Sequence, residues 1–175
     1  MTIDSLIMKL RESEHETYPV ASDGDIFMTE TALGRPLPSS FKAFVRSFSN
    51  GAYLYMLQEV SAVGEGNQKI AAIQKIYRNV SDPDENLSYH EGGQTTFKYL
   101  VPFGLDHNGN EWCFITDSAG DGNEYPVAYF ETTRRKLYGK LPGFTEWLSI
   151  LVERQEEVIR TLYDEDFQNG QMGLG

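Results

Sequence analysis

An α+β fold, with a central and mainly antiparallel sheet flanked by helices, is the class the sequence predicts, and three observations predict it. Apolar residues recur at helical spacing towards both ends of the chain. Between them, residues 99–130 are dense in strand formers and broken by turn residues. No internal repeat and no linker divides the 175 residues, a length suited to one domain with a proper core. The segregation of helical and strand patterns, without βαβ alternation, favours α+β over a parallel sheet.

Each element has a local cause. Ile3, Leu6, Ile7 and Leu10 sit at helical spacing, with Thr2 or Asp4 at the start. After a polar stretch over Glu12–Val20, Ser22 or Asp23 can cap a second helix over Asp25–Leu33, ended by Gly34. Pro36 and Pro38 impose an extended passage. Ser39 and Ser40 are natural caps for a third helix with Phe41, Phe44, Val45 and Phe48 on one face, stopped by Asn50-Gly51. Ala52–Val63 predicts one or two short strands, and Gln68–Tyr77 a helix carrying Ile70, Ile73, Ile76 and Tyr77. Asn79–Thr95 is expected to be a long polar loop with little to bury. YLVPFGL, EWCFIT and PVAYFE are three strands, and TTRRKLYG a fourth at a charged, exposed edge. Pro142-Gly143 opens a last helix with the stripe Phe144, Trp147, Leu148, Leu151 and Val152, extended towards Ile159 and Leu162. A single domain over 1–163 and a flexible acidic tail over 164–175 follow.

Charge placement narrows the function. The net charge is −11. Residues 79–133 hold ten carboxylates against the single base Lys98, so this segment carries nearly all of the excess. A field of one sign repels nucleic acid and anionic membrane and draws basic partners in. The N-terminus has neither a basic start nor a long apolar run, and a cytoplasmic location is expected. The lone Cys113 excludes an intramolecular disulfide framework.

Catalytic and metal chemistry find no centre. Asp106, Asn108 and Asn110 match the opening ligand positions of a calcium loop. However, the glycine falls at the fourth position instead of the sixth, and the twelfth is Asp117 instead of Glu. The loop from Asp117 to Gly122 has Ala119 and Ala128 where ligands belong. Cys113 lies mid-strand between Trp112 and Phe114 with acidic neighbours, unlike a reactive thiolate. With Asn108-Gly109 as a two-residue turn, Asp106 faces Glu111, and His107 lies about 10 Å from Cys113 along the ribbon, too far to activate it. On that register Phe103, Leu105, Trp112 and Phe114 share one face. Val63–Lys69 begins like a phosphate loop but carries Lys69 in place of the third glycine and the repelling Glu65. His15, His90 and His107 show no zinc spacing. No cofactor is expected, and the chain does not read as an enzyme.

The stretch LGRPLPSSFKAFVRSFSNGA resembles the first signature block of the SUKH superfamily, the Smi/Knr-type proteins. YLVPFGLDHNGNEWCFITDSAGDGNEYPVAYFE is similar to its second block, and LPGFTEWLSIL to its closing helix; together they span about 25–152. The family's recurrent positions fall here on Leu37, Pro38, Phe41, Asn50, Gly51, Pro102, Phe103, Gly109, Asp117, Pro126, Val127, Phe144 and Trp147. The resemblance implies a non-enzymatic role. Most bacterial members look like immunity proteins that bind and neutralise toxins, often nucleases, and eukaryotic relatives act as regulatory scaffolds. A nuclease domain is basic because it holds phosphate, so an acidic protein fits it. The expected partner is therefore a cognate toxin domain with a basic surface. The expected contacts are Asp82, Asp84, Glu85, Asp106, Glu111, Asp117, Asp121 and Glu124 for charge, with Tyr89, Tyr125 and Tyr53 as aromatic anchors. A scaffold without a toxin partner and a metal-dependent enzyme using the acidic loops are the alternatives.

Overall fold

The structure is a computed structural model and describes residues 1–77, 82–106 and 108–155. His107, Ile159, Leu162 and the expected tail over 164–175 lie outside the described residues. In chain order the elements are α1 (Ile3–Leu10), β1 (Glu16–Thr17), α2 (Asp23–Leu33), α3 (Ser39–Ser47), β2 (Ala52–Leu54), β3 (Gln58–Val60), α4 (Ile73–Tyr77), β4 (Asn86–Tyr89), β5 (Gln94–Thr96), β6 (Leu100–Leu105), β7 (Glu111–Ile115), β8 (Val127–Glu131), β9 (Lys136–Leu141) and α5 (Phe144–Glu153). This is the α+β class the sequence predicts.

Local signals fix α1, α2 and α5. Thr2 caps α1 by accepting from the Ser5 N–H at 3.2 Å. Ser22, not Asp23, caps α2, in a reciprocal box with Asp25, and the helix ends on Gly34 in the left-handed region. The stripe of α5 is buried as its spacing requires. Two helices depart from the sequence. Ser39 and Ser40 lie inside α3, whose N-cap is Pro38, a residue with no side-chain acceptor. α4 begins only at Ile73, because the Asn67 Oδ1 accepts from both the Lys69 and Ile70 N–H groups at 2.9 Å and holds that segment as a turn.

The nine strands among the described residues form two sheets. β1-β2-β3 is small and antiparallel, and the larger sheet runs β5-β4-β9-β8-β7-β6. Two expectations fail here. Residues 79–95 are not simply a polar loop, because β4 and β5 pair as a hairpin within them, burying Leu87 and Tyr89. β9 is not an edge strand, because β4 pairs with it in parallel at Ser88↔Lys136 and Tyr89↔Leu137. The edges are β5 and β6, yet only Phe97–Tyr99 join them in the chain. Three residues reach only about 10 Å, so the sheet curls until β5 comes back to the end of β7, where the Thr95 hydroxyl donates to Asp117 at 2.9 Å.

The curl gives the sheet two apolar faces. Outside it, α1, α3 and α5 pack on an aromatic centre in which Phe103 stacks on Phe114 at 4.3 Å and Trp147 meets Phe103 edge-on at 5.0 Å. Inside it, Leu87, Tyr89, Leu100, Cys113, Ile115, Ala128, Phe130 and Leu137 form a second cluster. Cys113 is fully buried there, and burial pushes its thiol well above the usual value. Each large side chain so buried stabilises the fold by about 1.5–3 kcal/mol before entropy is charged against it.

The β6–β7 register also differs from the expected one. Leu105 pairs with Glu111, Gly104 with Trp112, and a bulge at Phe103 shifts the rest to Pro102↔Cys113. Asp106 therefore lies opposite Asn110 and not Glu111, with the Asp106 N–H donating to the Asn110 carbonyl at 3.1 Å. The loop is three residues long, with Gly109 at φ +78° in the left-handed position such loops require.

Candidate partner-binding surface

The acids and tyrosines of the expected contact surface divide into those the fold consumes and those it leaves in water. Asp106 is consumed. Its Oδ1 accepts from the Asn108 and Asn110 N–H groups at 2.8 and 2.9 Å, and its Oδ2 accepts from the Tyr129 hydroxyl. This is a side chain bracing its own turn, and the carboxylate oxygens that suggested a calcium loop are taken by two backbone N–H groups and the Tyr129 hydroxyl. Glu111 is half-buried, burial raises its carboxyl above the usual range, and the Cys113 thiol lies 3.9 Å from it.

Glu124 is consumed differently. It accepts from the Ser40 N–H and the Ser40 hydroxyl, both at 2.8 Å. It thereby supplies from 84 residues away the cap that Pro38 cannot give α3, and its charge lies at the positive end of that helix. Glu85 binds Arg135 through both oxygens, at 2.6–2.9 Å, and the pair holds its carboxyl below the usual range. The Arg135 guanidinium also lies over the rings of Phe97 and Phe130, at 4.7 and 5.4 Å. Arg135 falls just beyond residue 133, so a count of charge along the chain places it outside the acidic segment that it partly neutralises.

Neither tyrosine of the acidic segment is placed as an exposed anchor. Tyr125 is 3% exposed, with its hydroxyl donating to the Pro36 carbonyl at 2.8 Å. Tyr89 is 8% exposed and lies inside the curl, where burial raises its hydroxyl to about 12. Tyr89 is a core residue because β4 turns its alternating positions inward, and Tyr125, just before β8, packs in the main core; Tyr53 is half-buried.

Asp82, Asp84, Asp117 and Asp121 remain exposed. Asp84 lies 3.6 Å from the Lys98 ammonium in an open pair of small energetic weight. Asp117 follows Thr116, whose N–H and hydroxyl donate to the Tyr99 carbonyl at 2.8 and 2.9 Å. The Phe97–Tyr99 connector is thus bordered by Asp84 on one side and Asp117 on the other, with Asp121 further along the loop from Asp117. Among the described residues no group of three or more His, Cys, Asp or Glu could hold a metal ion. No described helix is long and apolar enough to cross a membrane.

The model of the SMI1/KNR4 family (SUKH-1) matches residues 20–150, about three quarters of the chain. The chain belongs to the SMI1/KNR4 family. No curated protein matches it. The family's signature positions mostly build the scaffold. Leu37, Phe41, Phe103, Val127, Phe144 and Trp147 are in the core. Asn50 clamps Val63, accepting its N–H at 2.8 Å and donating to its carbonyl at 3.3 Å. Gly51 has φ +80°, and a Cβ there would come within 3.1 Å of Ala62 and Ile70. Asp117 alone among them joins an exposed carboxylate to a structural hydrogen bond.

Proposed function

We propose that this SMI1/KNR4 protein is a non-enzymatic binding module of the immunity type, neutralising a toxin domain with a basic surface by direct contact. The observation that carries the reading is the family membership together with the placement of the acids. Nearly all the excess negative charge lies in one segment; the exposed Asp84 and Asp117 border one connector of the curled sheet, and the exposed Asp82 and Asp121 lie in the same two loops. Acids so placed raise the association rate of a basic partner and occupy the surface it uses for phosphate. Glu124 serves this surface indirectly, by tying the loop that carries Asp117 and Asp121 to α3, whereas Asp106 braces the turn at the other end of β7.

The test is co-expression with the product of the adjacent gene, followed by binding kinetics across salt. A complex is expected whose association slows steeply between low and physiological ionic strength. Replacing Asp82, Asp117 and Asp121 by lysine together should slow association at least tenfold and flatten its salt dependence. A complex that forms equally fast with the triple variant overturns the electrostatic part of the proposal, and the lack of any complex with a toxin overturns the immunity role.

A further inference from the structure

The small sheet β1-β2-β3 turns its core face inward through Ala52, Leu54, Gln58 and Val60, which are buried, and its other face outward. On that outer face the register sets Glu16 opposite Tyr53, and Tyr53 opposite Glu59, a row running straight across all three strands. Neighbours in such a row have Cβ atoms about 4.5–5.5 Å apart, close enough for their side chains to share a ligand. At one end of the row Glu16 is satisfied. Its Oε1 accepts from the Tyr18 hydroxyl at 2.7 Å and from the Lys69 ammonium at 2.5 Å.

At the other end Glu59 is not. Its side chain is half-buried, and burial raises its carboxyl above the usual range. Among the described residues it has neither a cation nor a hydrogen-bond donor. The other half-buried carboxylates all accept from a donor, as in the pairs of Glu30 with the Leu37 N–H, Glu85 with Arg135 and Glu124 with Ser40. Withdrawing a carboxylate from water without a partner is unfavourable, and an arriving cation relieves it. The aromatic neighbour matters too, because a tyrosine ring beside a carboxylate attracts an ammonium or guanidinium group through its face.

We propose that the outer face of β1-β2-β3, centred on Glu59 and Tyr53, is a docking surface that takes a lysine or arginine side chain from a protein partner. Charge complementarity selects the occupant: the group without a partner among the described residues is anionic, its companion is aromatic, and the cation at the far end of the row, Lys69, is already committed to Glu16. The surface is distinct from the acidic loops of residues 82–121, and the inference does not depend on the partner being a toxin.

The probe is a tetra-arginine peptide amide titrated into the full chain, with backbone amide shifts followed by NMR. Saturable shifts are expected at Tyr53, Glu59 and Thr17. In Glu59→Gln, which keeps the shape and removes the charge, those shifts should need at least fivefold more peptide, while shifts at Asp117 and Asp121 keep their wild-type midpoint. Shifts confined to residues 82–121 in the wild-type chain overturn the proposal, as does an unchanged midpoint in Glu59→Gln. The wild-type titration decides the matter even if that variant folds poorly. If the site responds and the adjacent gene product forms no complex, the immunity reading fails and this one stands.

Discussion

Replacing Glu124 by alanine separates a surface charge from a helix cap. Glu124 looks in sequence like one more loop acid, but it accepts two hydrogen bonds from Ser40, whose residue is 6% exposed. α3 has no other side-chain cap. Losing a cap costs about 0.5–2 kcal/mol, and orphaning a nearly buried hydroxyl and N–H adds about 1–3 kcal/mol. Water can reach a half-buried site and recover part of this, so the expected loss is about 2 kcal/mol. For a domain of this size that is roughly 4–8 °C in melting temperature. Glu124→Gln retains an amide oxygen as acceptor and should lose about half as much, while Asp121→Ala, in the same loop and exposed, should lie within about 0.5 kcal/mol of the wild type. Urea and thermal melts at neutral pH measure all three. If Glu124→Ala melts with the wild type, or if Asp121→Ala falls as far, the cap account is wrong and the loop acids act only through their collective charge.

Three further outcomes are expected. The His15 Nδ1 accepts from the Tyr55 N–H and Nε2 donates to the Leu10 carbonyl, each at 2.9 Å, so the folded state needs the neutral ring and burial lowers its pKa; below the unfolded value of about 6.5 the unfolded chain binds the extra proton. Stability should therefore fall as pH drops from 6.5, and a pH series of urea melts should show a flatter slope for His15→Gln, an equal slope refuting the assignment. Tyr89→Phe removes a buried hydroxyl with no partner among the described residues, so it should be neutral or stabilising by up to about 1 kcal/mol in the same melts; a loss above 1 kcal/mol shows that the hydroxyl is bonded. Asp117→Asn keeps an acceptor for the nearly buried Thr95 hydroxyl and should hold the wild-type melting temperature, whereas Asp117→Ala should lose about 1–2 kcal/mol; equal melts for the two variants mean that the Thr95 contact contributes nothing to closing the curl.

The legible parts of the fold are those whose causes lie within a turn or two of each other. Ser22, Asp25 and Gly34 bracket α2, and the apolar spacing of α5 specifies the face it buries. β4 was not legible, because its alternation covers only Leu87 and Tyr89 and the strand that completes it, β9, lies 48 residues on. The β6–β7 register was misjudged for a similar reason. The bulge at Phe103 goes with a hydrogen bond from the Ser61 N–H to the Phe103 carbonyl at 2.7 Å, a contact between separate sheets that no local turn rule contains. Cys113 as a buried small hydrophobe was legible, since its neighbours in the strand, Trp112 and Phe114, require cover.

The candidate surface was legible as a charge balance and not as a set of contacts, and the reason is physical. A carboxylate in a loop has the same local sequence whether it faces water or a helix terminus; what decides is a donor that the fold brings up from elsewhere. Ser40 reaches Glu124, Arg135 reaches Glu85, and Tyr129 reaches Asp106, across 84, 50 and 23 residues. Each such donor removes one acid from the pool a partner can meet and stiffens the loop that carries the rest. The net charge of the segment thus overstates the charge on offer, while Glu85 and Glu124 anchor the two loops that carry Asp82, Asp84, Asp117 and Asp121. For a binding module that is a favourable division, because a partner gains more from four carboxylates held in place than from ten that must be ordered on contact.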